Sequence, residues 1–360
     1  MSEIDKLLSM EGNLQIPSEQ KRRVLQRLLL ESVAKQIANN KNYSDYCKTN
    51  GVSEENVSEN IDSIPLIPAV VFKKNYFLAQ TSKNDDILIT TSSGTKGSIS
   101  QVPRDNQTLM RFYSTINSGL QDVFNYKQTN FEFLCLTPPS NEAKHLWISY
   151  LITGINLFYP CTHYISNGNL EYDKLMSDLQ RIQECDGPKK YLIVGSPALI
   201  MDLTKLIRNN HQELKLNDKC LIVTMGGWKR RQSEMISKDE FYDQVIEVFG
   251  LKNDEYIRDA YNMVELNTVF FECKHHNKHC PPWIHVRARN PRTLDVVPSG
   301  DFGLLSFMDA TPESFPGFLL SEDFGRVIEN YSCPCGLSGD ILQIERRVNK
   351  VESRGCALKI

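Results

Sequence analysis

Apolar residues recur along this chain of 360 residues at two different spacings, and each spacing predicts its own kind of element. Apolar side chains that return every three or four positions predict amphipathic helices. These helices are expected over residues 18–38, 106–124, 170–183 and 238–249. Short apolar runs between polar or turn residues predict strands. These strands are expected over residues 87–89, 131–136, 191–194 and 221–224.

Residues at the ends of these runs predict where helices begin and how the strands are connected. Ser18 is expected to cap the first helix, and Ser196 with Pro197 predicts a further helix with a serine cap and a proline in its first position. The two prolines of residues 64–73 exclude a helix there and favour an extended lead-in. Strands that alternate with helices predict a mainly parallel sheet covered by helices on both faces.

The pattern changes along the chain and predicts four segments. Residues 1–80 are expected to form a helical lead-in, and residues 81–280 an α/β core. Shorter strand-like pieces predict a β-rich subdomain over residues 281–345. Residues 346–360 are expected to form a mobile tail.

Composition narrows the class of protein. The net charge is −3, without a long run of one sign, which argues against a nucleic-acid surface. Residues 1–20 lack the apolar core of a signal peptide, and the longest apolar stretches are too short to cross a bilayer. We therefore expect a soluble cytoplasmic protein. Its ten cysteines are then expected to be core residues, metal ligands or a reactive thiol rather than disulfides.

A cluster of small and hydroxylated residues follows the first predicted strand and is a candidate phosphate site. The cluster consists of Thr91, Ser92, Ser93, Gly94, Thr95, Lys96 and Gly97. Its glycines can adopt positive φ, so that successive N–H groups can line an anion-binding turn, and Lys96 adds a positive charge. This chemistry suits a polyphosphate, although the spacing is that of neither a Walker A loop nor a G-x-G-x-x-G motif. The alternative is an ordinary solvated loop.

The sequence S-S-G-T-K-G over residues 92–97 resembles the phosphate loop of the adenylate-forming acyl-activating enzymes. The phrase I-P-L-I-P-A-V-V-F-K over residues 64–73 is similar to the segment before that loop in the acyl-protein synthetases of bacterial luminescence, the LuxE family. Lys96 stands where the family usually has threonine or serine. The resemblance implies the large N-terminal α/β domain of these enzymes with a β-rich subdomain, and without their C-terminal lid domain.

A pair of glycines, Gly226 and Gly227, comes directly after a predicted strand. Glycines at the carboxyl edge of a parallel sheet let a ligand approach the backbone closely. The resemblance implies that this G-G-W-K sequence lies at the acyl-adenylate site. The alternative is a plain turn in which Trp228 caps the core.

The sequence D-A-Y-N-M-V-E over residues 259–265 is similar to the D-x-Y-G-x-[TV]-E signature of the superfamily, with Asn262 in place of glycine. This resemblance implies that Tyr261 stacks on adenine and that Glu265 binds Mg²⁺ between phosphates. The alternative for a tyrosine and a glutamate four residues apart is one face of an amphipathic helix.

Two residues near the end of the chain complete the expected nucleotide site. The sequence around Asp323 resembles the T-[GE]-D-x-G element, which implies a contact from Asp323 to the ribose hydroxyls; the alternative is an aspartate in a β-turn. Arg347 is also assigned to the nucleotide.

Cysteines and histidines occur in two clusters, over residues 273–280 and 333–335. Four to six nitrogen and sulfur ligands suit a structural zinc site, and the alternative is a set of separate cysteines and histidines. A resemblance to the zinc site of phenylacetate ligase-type enzymes selects the ligands, with Cys280 as the alternative to His279. The selected ligands are Cys273, His279, Cys333 and Cys335.

The tail carries Cys356 between two basic residues, Arg354 and Lys359. Positive charges favour the thiolate, and a terminal segment can move to a substrate. The LuxE resemblance implies that Cys356 accepts an acyl group; the alternative is an inert cysteine.

The resemblance therefore implies an enzyme that uses ATP and Mg²⁺ to convert a long-chain fatty acid to acyl-AMP. The acyl group would then pass to Cys356, to a fatty-acyl reductase partner, or to both in turn, for aldehyde production. One alternative is a carboxylate–CoA ligase of the phenylacetate type, and another is an inactive relative that acts as a scaffold.

Overall fold

The computed structural model describes residues 1–53, 60–73, 87–92, 99–124, 131–139, 141–143 and 146–347. They form two compact units. The first unit joins Met1–Asp122, Met263–Phe270 and the described residues from Asn277 onward, and the second joins Val123–Asn262 and Phe271–His276. Each unit is built from separate stretches, so the division into four consecutive segments stays a prediction. In the described ranges, no helix combines the length and the apolar character that crossing a membrane requires.

The helices and strands of the described residues are numbered in chain order. The α-helices are α1 (Glu3–Ser9), α2 (Ser18–Asn39), α3 (Lys41–Thr49), α4 (Asn106–Val123), α5 (Trp147–Asn156), α6 (Tyr172–Glu184), α7 (Pro197–Asn209) and α8 (Lys238–Phe249). The strands are β1 (Ile67–Pro68), β2 (Leu88–Thr91), β3 (Gln101–Arg104), β4 (Phe131–Cys135), β5 (Cys161–His163), β6 (Ile165–Ser166), β7 (Asn169–Leu170), β8 (Lys190–Gly195), β9 (Cys220–Met225), β10 (Ile257–Tyr261), β11 (Phe270–Phe271), β12 (Lys278–His279), β13 (Ile284–Arg289), β14 (Phe302–Asp309), β15 (Phe318–Ser332) and β16 (Ser338–Arg347).

The second unit is organised around a sheet in the order β11-β10-β9-β8-β4-β5. The pairs from β10 to β5 are parallel, which confirms the predicted parallel sheet. The central strands β8 and β9 are mostly apolar, and α6, α7 and α8 bury side chains such as Leu179, Leu203 and Val245 in the core that these strands share. The chain passes from β4 to β5 on one side and then returns to place β8 on the other. The strand order therefore reverses between β4 and β8, which is where open α/β sheets bind ligands.

Helix ends in the second unit follow the local sequence. The hydroxyl of Ser196 accepts a hydrogen bond from the Leu199 N–H at 3.3 Å, and Pro197 begins α7, as predicted. Gly250 ends α8 with a φ of 56°, and a Cβ there would lie 2.2 Å from the Leu214 carbonyl oxygen. This position therefore requires glycine.

The first unit contains an antiparallel sheet in the order β12-β16-β15-β14-β13, with β1 added parallel to β15. This sheet is the predicted strand-rich region near the end of the chain. The extended lead-in is confirmed only for β1, because Ala69–Lys73 forms a short 3₁₀ helix. A proline restricts the residue before it and leaves the residues after it able to turn.

The start of α2 differs from the prediction by one residue. Pro17 is the cap, and its carbonyl oxygen accepts from the Lys21 N–H at 2.9 Å. Ser18 is therefore the first helical residue, and its expected role as the cap is wrong. A proline carbonyl can begin the helical hydrogen bonds, so a side-chain cap is not required.

Candidate active site

The predicted phosphate cluster begins at the end of a hairpin formed by β2 and β3. Thr91 pairs with Gln101, and Ser92 closes the hairpin beyond them. The Ser92 N–H donates to the Ser100 carbonyl oxygen at 3.1 Å, and the Ser92 hydroxyl accepts from the Ser100 N–H at 3.0 Å. Ser92 and Ser100 thus extend the pairing of β2 and β3 by one residue on each strand. The other members of the cluster, Ser93, Gly94, Thr95, Lys96 and Gly97, lie outside the described residues.

Gly226 and Tyr261 lie at the same edge of the parallel sheet. β9 and β10 are neighbours in register, with Met225 opposite Ala260, so the next residues, Gly226 and Tyr261, follow side by side at the carboxyl ends. Gly226 has a φ of 74°, which favours glycine. This edge therefore combines an aromatic side chain with a backbone that a ligand can approach closely.

The second glycine leaves room at this edge. Among the described atoms, none lies within 4 Å of the position that a Cβ would take at Gly227. Trp228 packs against the hydrophobic core of the second unit, as the structural alternative for this motif expected. The tryptophan is thus a partly buried residue packed on the core, whereas both glycines are exposed.

Asn262 makes a contact that sequence reasoning missed. The indole N–H of Trp147, in the first turn of α5, donates a hydrogen bond to the Asn262 side-chain oxygen. Asn262 follows Tyr261 directly, so this bond links α5 to the residue beside the expected adenine platform. Asparagine in place of the family glycine is the only signal for this contact in the sequence.

Glu265 lies in a turn after β10 and not on a helix, so the helical alternative for the Tyr261–Glu265 spacing is wrong. The Leu266 N–H closes the turn by donating to the Met263 carbonyl oxygen at 2.9 Å. Glu265 is 4% exposed. A buried carboxylate is costly unless positive charge or hydrogen bonds compensate it.

Arg104, which sequence reasoning also missed, is the compensating positive charge in this part of the first unit. It ends β3 and is 0% exposed. Burial lowers its pKa, and the negative charges of Glu265 and Asp309 oppose that effect. In the sequence, the one feature that could have drawn attention to Arg104 is its position shortly after the phosphate cluster.

Asp323 and Arg347 face each other across the β15–β16 pair. Asp323 is 8% exposed and lies within β15, where its N–H donates to the Ser321 hydroxyl at 3.1 Å. The alternative of a β-turn aspartate is therefore wrong. The backbone register brings together two residues that were assigned to the nucleotide from separate parts of the sequence.

The predicted metal ligands come together. The ligand atoms of Cys273, His279, Cys333 and Cys335 all lie within 4.8 Å of one another. His279 Nε2 lies 3.3 Å from Cys335 Sγ. Three sulfurs and one nitrogen in one cluster are the donor set of a structural zinc site. The residues present therefore fit zinc, and Cys280 is not a member of the cluster.

The turn between β15 and β16 presents two of these cysteines. The Gly336 N–H donates to the Cys333 carbonyl oxygen at 2.9 Å, and Gly336 has a φ of 97°. Asn277, which sequence reasoning missed, donates from its side-chain amide to Cys333 Sγ at 3.4 Å. Such donors stabilise thiolate ligands and fix their orientation. No sequence spacing pointed to Asn277 apart from its place between Cys273 and His279.

Cys356 lies outside the described residues, and Arg347 is described only by its backbone. The proposed acyl acceptor and the side chain of Arg347 therefore remain sequence-based predictions.

Comparisons of the sequence with known proteins give matches over the whole chain. The sequence model of the acyl-protein synthetase family LuxE matches residues 1–360. The long-chain-fatty-acid–luciferin-component ligases of Aliivibrio fischeri and Vibrio harveyi are each 32% identical to this chain, over 100% of this chain and 93% of each relative.

Solved structures show a shared fold. An open conformation of 2-hydroxyisobutyryl-CoA ligase, in complex with 2-HIB-AMP and CoA, has a TM-score of 0.72 at 13% identity. The match covers 94% of this chain and 77% of that one. A long-chain-fatty-acid-CoA ligase from Archaeoglobus fulgidus has a TM-score of 0.51 at 12% identity and covers 83% of this chain and 57% of its own. The fold is thus that of the adenylate-forming ligases.

Proposed function

Because this chain belongs to the LuxE family of acyl-protein synthetases, we propose that it activates a long-chain fatty acid as acyl-AMP and transfers the acyl group to a cysteine. The observation that supports nucleotide binding best is the position of Tyr261 beside Gly226 at the carboxyl edge of the parallel sheet. An aromatic ring beside an open glycine backbone suits a stacked adenine.

Each predicted residue has a role in holding the nucleotide. Tyr261 stacks on adenine, and Asp323 accepts hydrogen bonds from the ribose hydroxyls. The residues from Thr91 to Gly97 bind the phosphates through N–H groups and hydroxyls. Gly226 and Gly227 leave space for the acyl-adenylate, and Arg347 adds positive charge near the ribose.

Glu265 would hold Mg²⁺, since a single carboxylate together with substrate phosphates is a usual ligand set for this ion. When bound, the ion offsets the negative charge of the pyrophosphate that leaves. The contribution of the chain is to keep the Glu265 carboxylate buried and oriented in its turn.

The proposed reaction has two steps. A fatty-acid carboxylate oxygen attacks the α-phosphorus of ATP, an O–P bond forms, and the bond to pyrophosphate breaks. The Cys356 thiolate then attacks the acyl carbon, a C–S bond forms, and AMP leaves with the electron pair of the C–O bond. The thioester retains enough activation for a second transfer, to a cysteine of a fatty-acyl reductase partner. We place both proteins in the cytoplasm, where cysteines are kept reduced, and none of the nine cysteines in the described ranges forms a disulfide.

Exchange of radioactive pyrophosphate into ATP tests the first step. We expect exchange that requires Mg²⁺ and a fatty acid, and that is strongest with long-chain acids. Absence of exchange with every acid of a short-to-long panel contradicts the proposal. Exchange accompanied by a CoA thioester product, identified by mass spectrometry, would instead indicate a carboxylate–CoA ligase.

We also propose that Cys273, His279, Cys333 and Cys335 hold a structural zinc ion, which would connect the β15–β16 turn to the residues before β12. Purified protein is expected to contain about one zinc per chain, since a four-ligand site is complete. Cys335→Ser should lose most of this zinc and lower the free energy of unfolding, because metal binding contributes to folding. Elemental analysis and thermal unfolding measure the two effects.

Cys280→Ser provides the matched control, because Cys280 is buried close to the ligands in sequence but lies outside the cluster. It should retain its zinc. Loss of zinc from Cys280→Ser together with retention in His279→Ala would show that the fourth ligand is Cys280 and that the assignment of His279 is wrong.

A further inference from the structure

We propose that Arg104 is a positioning residue, which holds the turn that carries Glu265 in a fixed relation to the β2–β3 hairpin. This inference rests on the proposed role of Glu265 in binding Mg²⁺. Nothing in the sequence motifs assigns a role to Arg104, and its contacts within the first unit carry the argument.

The guanidinium of Arg104 binds the Glu265 turn on both sides of the carboxylate. Nη2 donates to the Val264 carbonyl oxygen at 2.6 Å and to the Leu266 carbonyl oxygen at 3.2 Å. Two bonds to the residues that flank Glu265 fix the position and the direction of its backbone. The turn therefore cannot rotate without breaking a bond to Arg104.

The same guanidinium binds the hairpin. Nη1 donates to the hydroxyl of Thr90, in the middle of β2. The Thr90 hydroxyl in turn donates to the Val102 carbonyl oxygen at 3.0 Å, on β3. Both strands that lead to the phosphate cluster are thus connected to Arg104 by hydrogen bonds.

A third set of contacts holds the guanidinium itself. Nε donates to the Asn267 side-chain oxygen at 3.2 Å, and the guanidinium carbon lies 5.1 Å from the centre of the Phe315 ring. Asn267 is fixed by bonds from its amide to the Thr108 carbonyl oxygen at 2.9 Å and to the Thr311 hydroxyl at 3.2 Å. The side chain of Arg104 therefore has one orientation, stabilised by its own buried neighbours.

Arginine suits this role better than lysine. A guanidinium offers five donors in a rigid plane, whereas an ammonium is a point charge on a flexible stem. At Arg104 the acceptors are two backbone carbonyls, one hydroxyl and one amide oxygen, in different directions. A lysine would keep the charge and lose the simultaneous contact with the hairpin and the turn.

The test compares Arg104→Lys with Arg111→Lys. Arg111 is likewise buried, but it binds Asp5, the Thr311 carbonyl oxygen and Glu313 rather than the Glu265 turn. We expect Arg104→Lys to lower kcat for pyrophosphate exchange by about 10- to 100-fold, the scale for misplacing a reacting group. The KM for the fatty acid should change by less than about threefold, and the Mg²⁺ concentration for half-maximal rate should rise. Arg111→Lys should leave these kinetic values near those of the wild type.

A double-variant cycle distinguishes positioning of Glu265 from general damage. If Arg104 acts through Glu265, Arg104→Lys should slow the Glu265→Gln variant far less than it slows the wild type. The proposal is overturned if the rate of the double variant falls by the product of the two single fold-decreases. It is also overturned if Arg104→Lys leaves the rate unchanged. If Arg104→Lys does not fold, Thr90→Val, which removes the hydroxyl that accepts from Arg104 and donates to the Val102 carbonyl oxygen, should show the same pattern with a smaller decrease.

Hydrogen–deuterium exchange provides a readout that does not depend on activity. Arg104→Lys should increase exchange at the amides of residues 263–268, and Arg111→Lys should not. Wild-type protein without pyrophosphate exchange would contradict the proposed function, while the amide measurement would still decide on Arg104. Unaltered exchange at residues 263–268 in Arg104→Lys would falsify the positioning role.

Discussion

Replacing Cys356 with serine should reduce hydroxylamine-sensitive labelling of the chain by radioactive fatty acid to background, in the presence of ATP and Mg²⁺. The expected reason is that only the thiolate of Cys356 forms the acyl thioester, and a serine hydroxyl is a far weaker nucleophile at neutral pH. We expect Arg354 and Lys359 to favour the thiolate of Cys356, whereas these charges cannot ionise a serine hydroxyl in its place. Pyrophosphate exchange should remain within about twofold of the wild type, because adenylation precedes the thiol step.

Cys185→Ser is the matched control for this experiment. Among the described cysteines, Cys185 alone is classed as exposed, so it is the most accessible competing thiol in that part of the chain. Its replacement should leave the thioester label intact. Label that persists as a thioester in Cys356→Ser and disappears in Cys185→Ser would contradict the role of the tail cysteine.

Glu265→Gln should lower kcat for acid-dependent pyrophosphate exchange by about 10²- to 10³-fold, the scale for removing one group that stabilises developing charge. Glutamine preserves the shape of the side chain and removes its negative charge, so the ion between the phosphates would lose its protein ligand. The half-saturating Mg²⁺ concentration should rise at the same time. Steady-state exchange rates across a Mg²⁺ titration measure both effects.

Glu329→Gln is a suitable control, because Glu329 forms an ion pair with Arg287 at 2.9 Å on the surface of the antiparallel sheet. It removes the same charge from a partly exposed site and should change the exchange rate by less than about twofold. Equal rates in wild type and Glu265→Gln at every Mg²⁺ concentration would exclude Glu265 as a ligand of the ion.

The local pattern of the chain predicted β4, β8, β9, α6, α7 and α8 of the second unit, but it did not predict α5, β5 or β10. Apolar runs such as that of β9 have a length and composition that suit only a buried strand, and Ser196 with Pro197 determines the start of α7 through its own hydrogen bond. The helix at Lys238–Phe249 was predicted with the same bounds. These elements are determined mainly by residues close in sequence, so the spacing of apolar residues can predict them.

The residues that sequence reasoning missed depend on contacts between distant parts of the chain. Arg104 is a polar residue at the end of a strand, and only the fold surrounds it with the carbonyls of Val264 and Leu266. The sequence around Asn277 likewise gives no indication of its hydrogen bond to Cys333, which forms only in the folded chain. The proposed zinc ligands could be named from the sequence because clustered cysteines and histidines suit a metal ion and a resemblance to phenylacetate ligase-type enzymes selected four of them, whereas arginine and asparagine occur in many structural roles.

The pairing of Arg347 with Asp323 determines how far the tail can reach. Cys356 is nine residues after Arg347, and an extended chain spans about 3.3–3.6 Å per residue. Cys356 is therefore tethered within ~30 Å of Arg347, which pairs with Asp323, the proposed ribose contact. A thiol tethered over so short a stretch of chain has a high effective concentration, on the order of millimolar for short linkers. Self-acylation should therefore proceed at a rate that does not change when the protein is diluted. The chain would thus need no collision with a second copy to unload its adenylate.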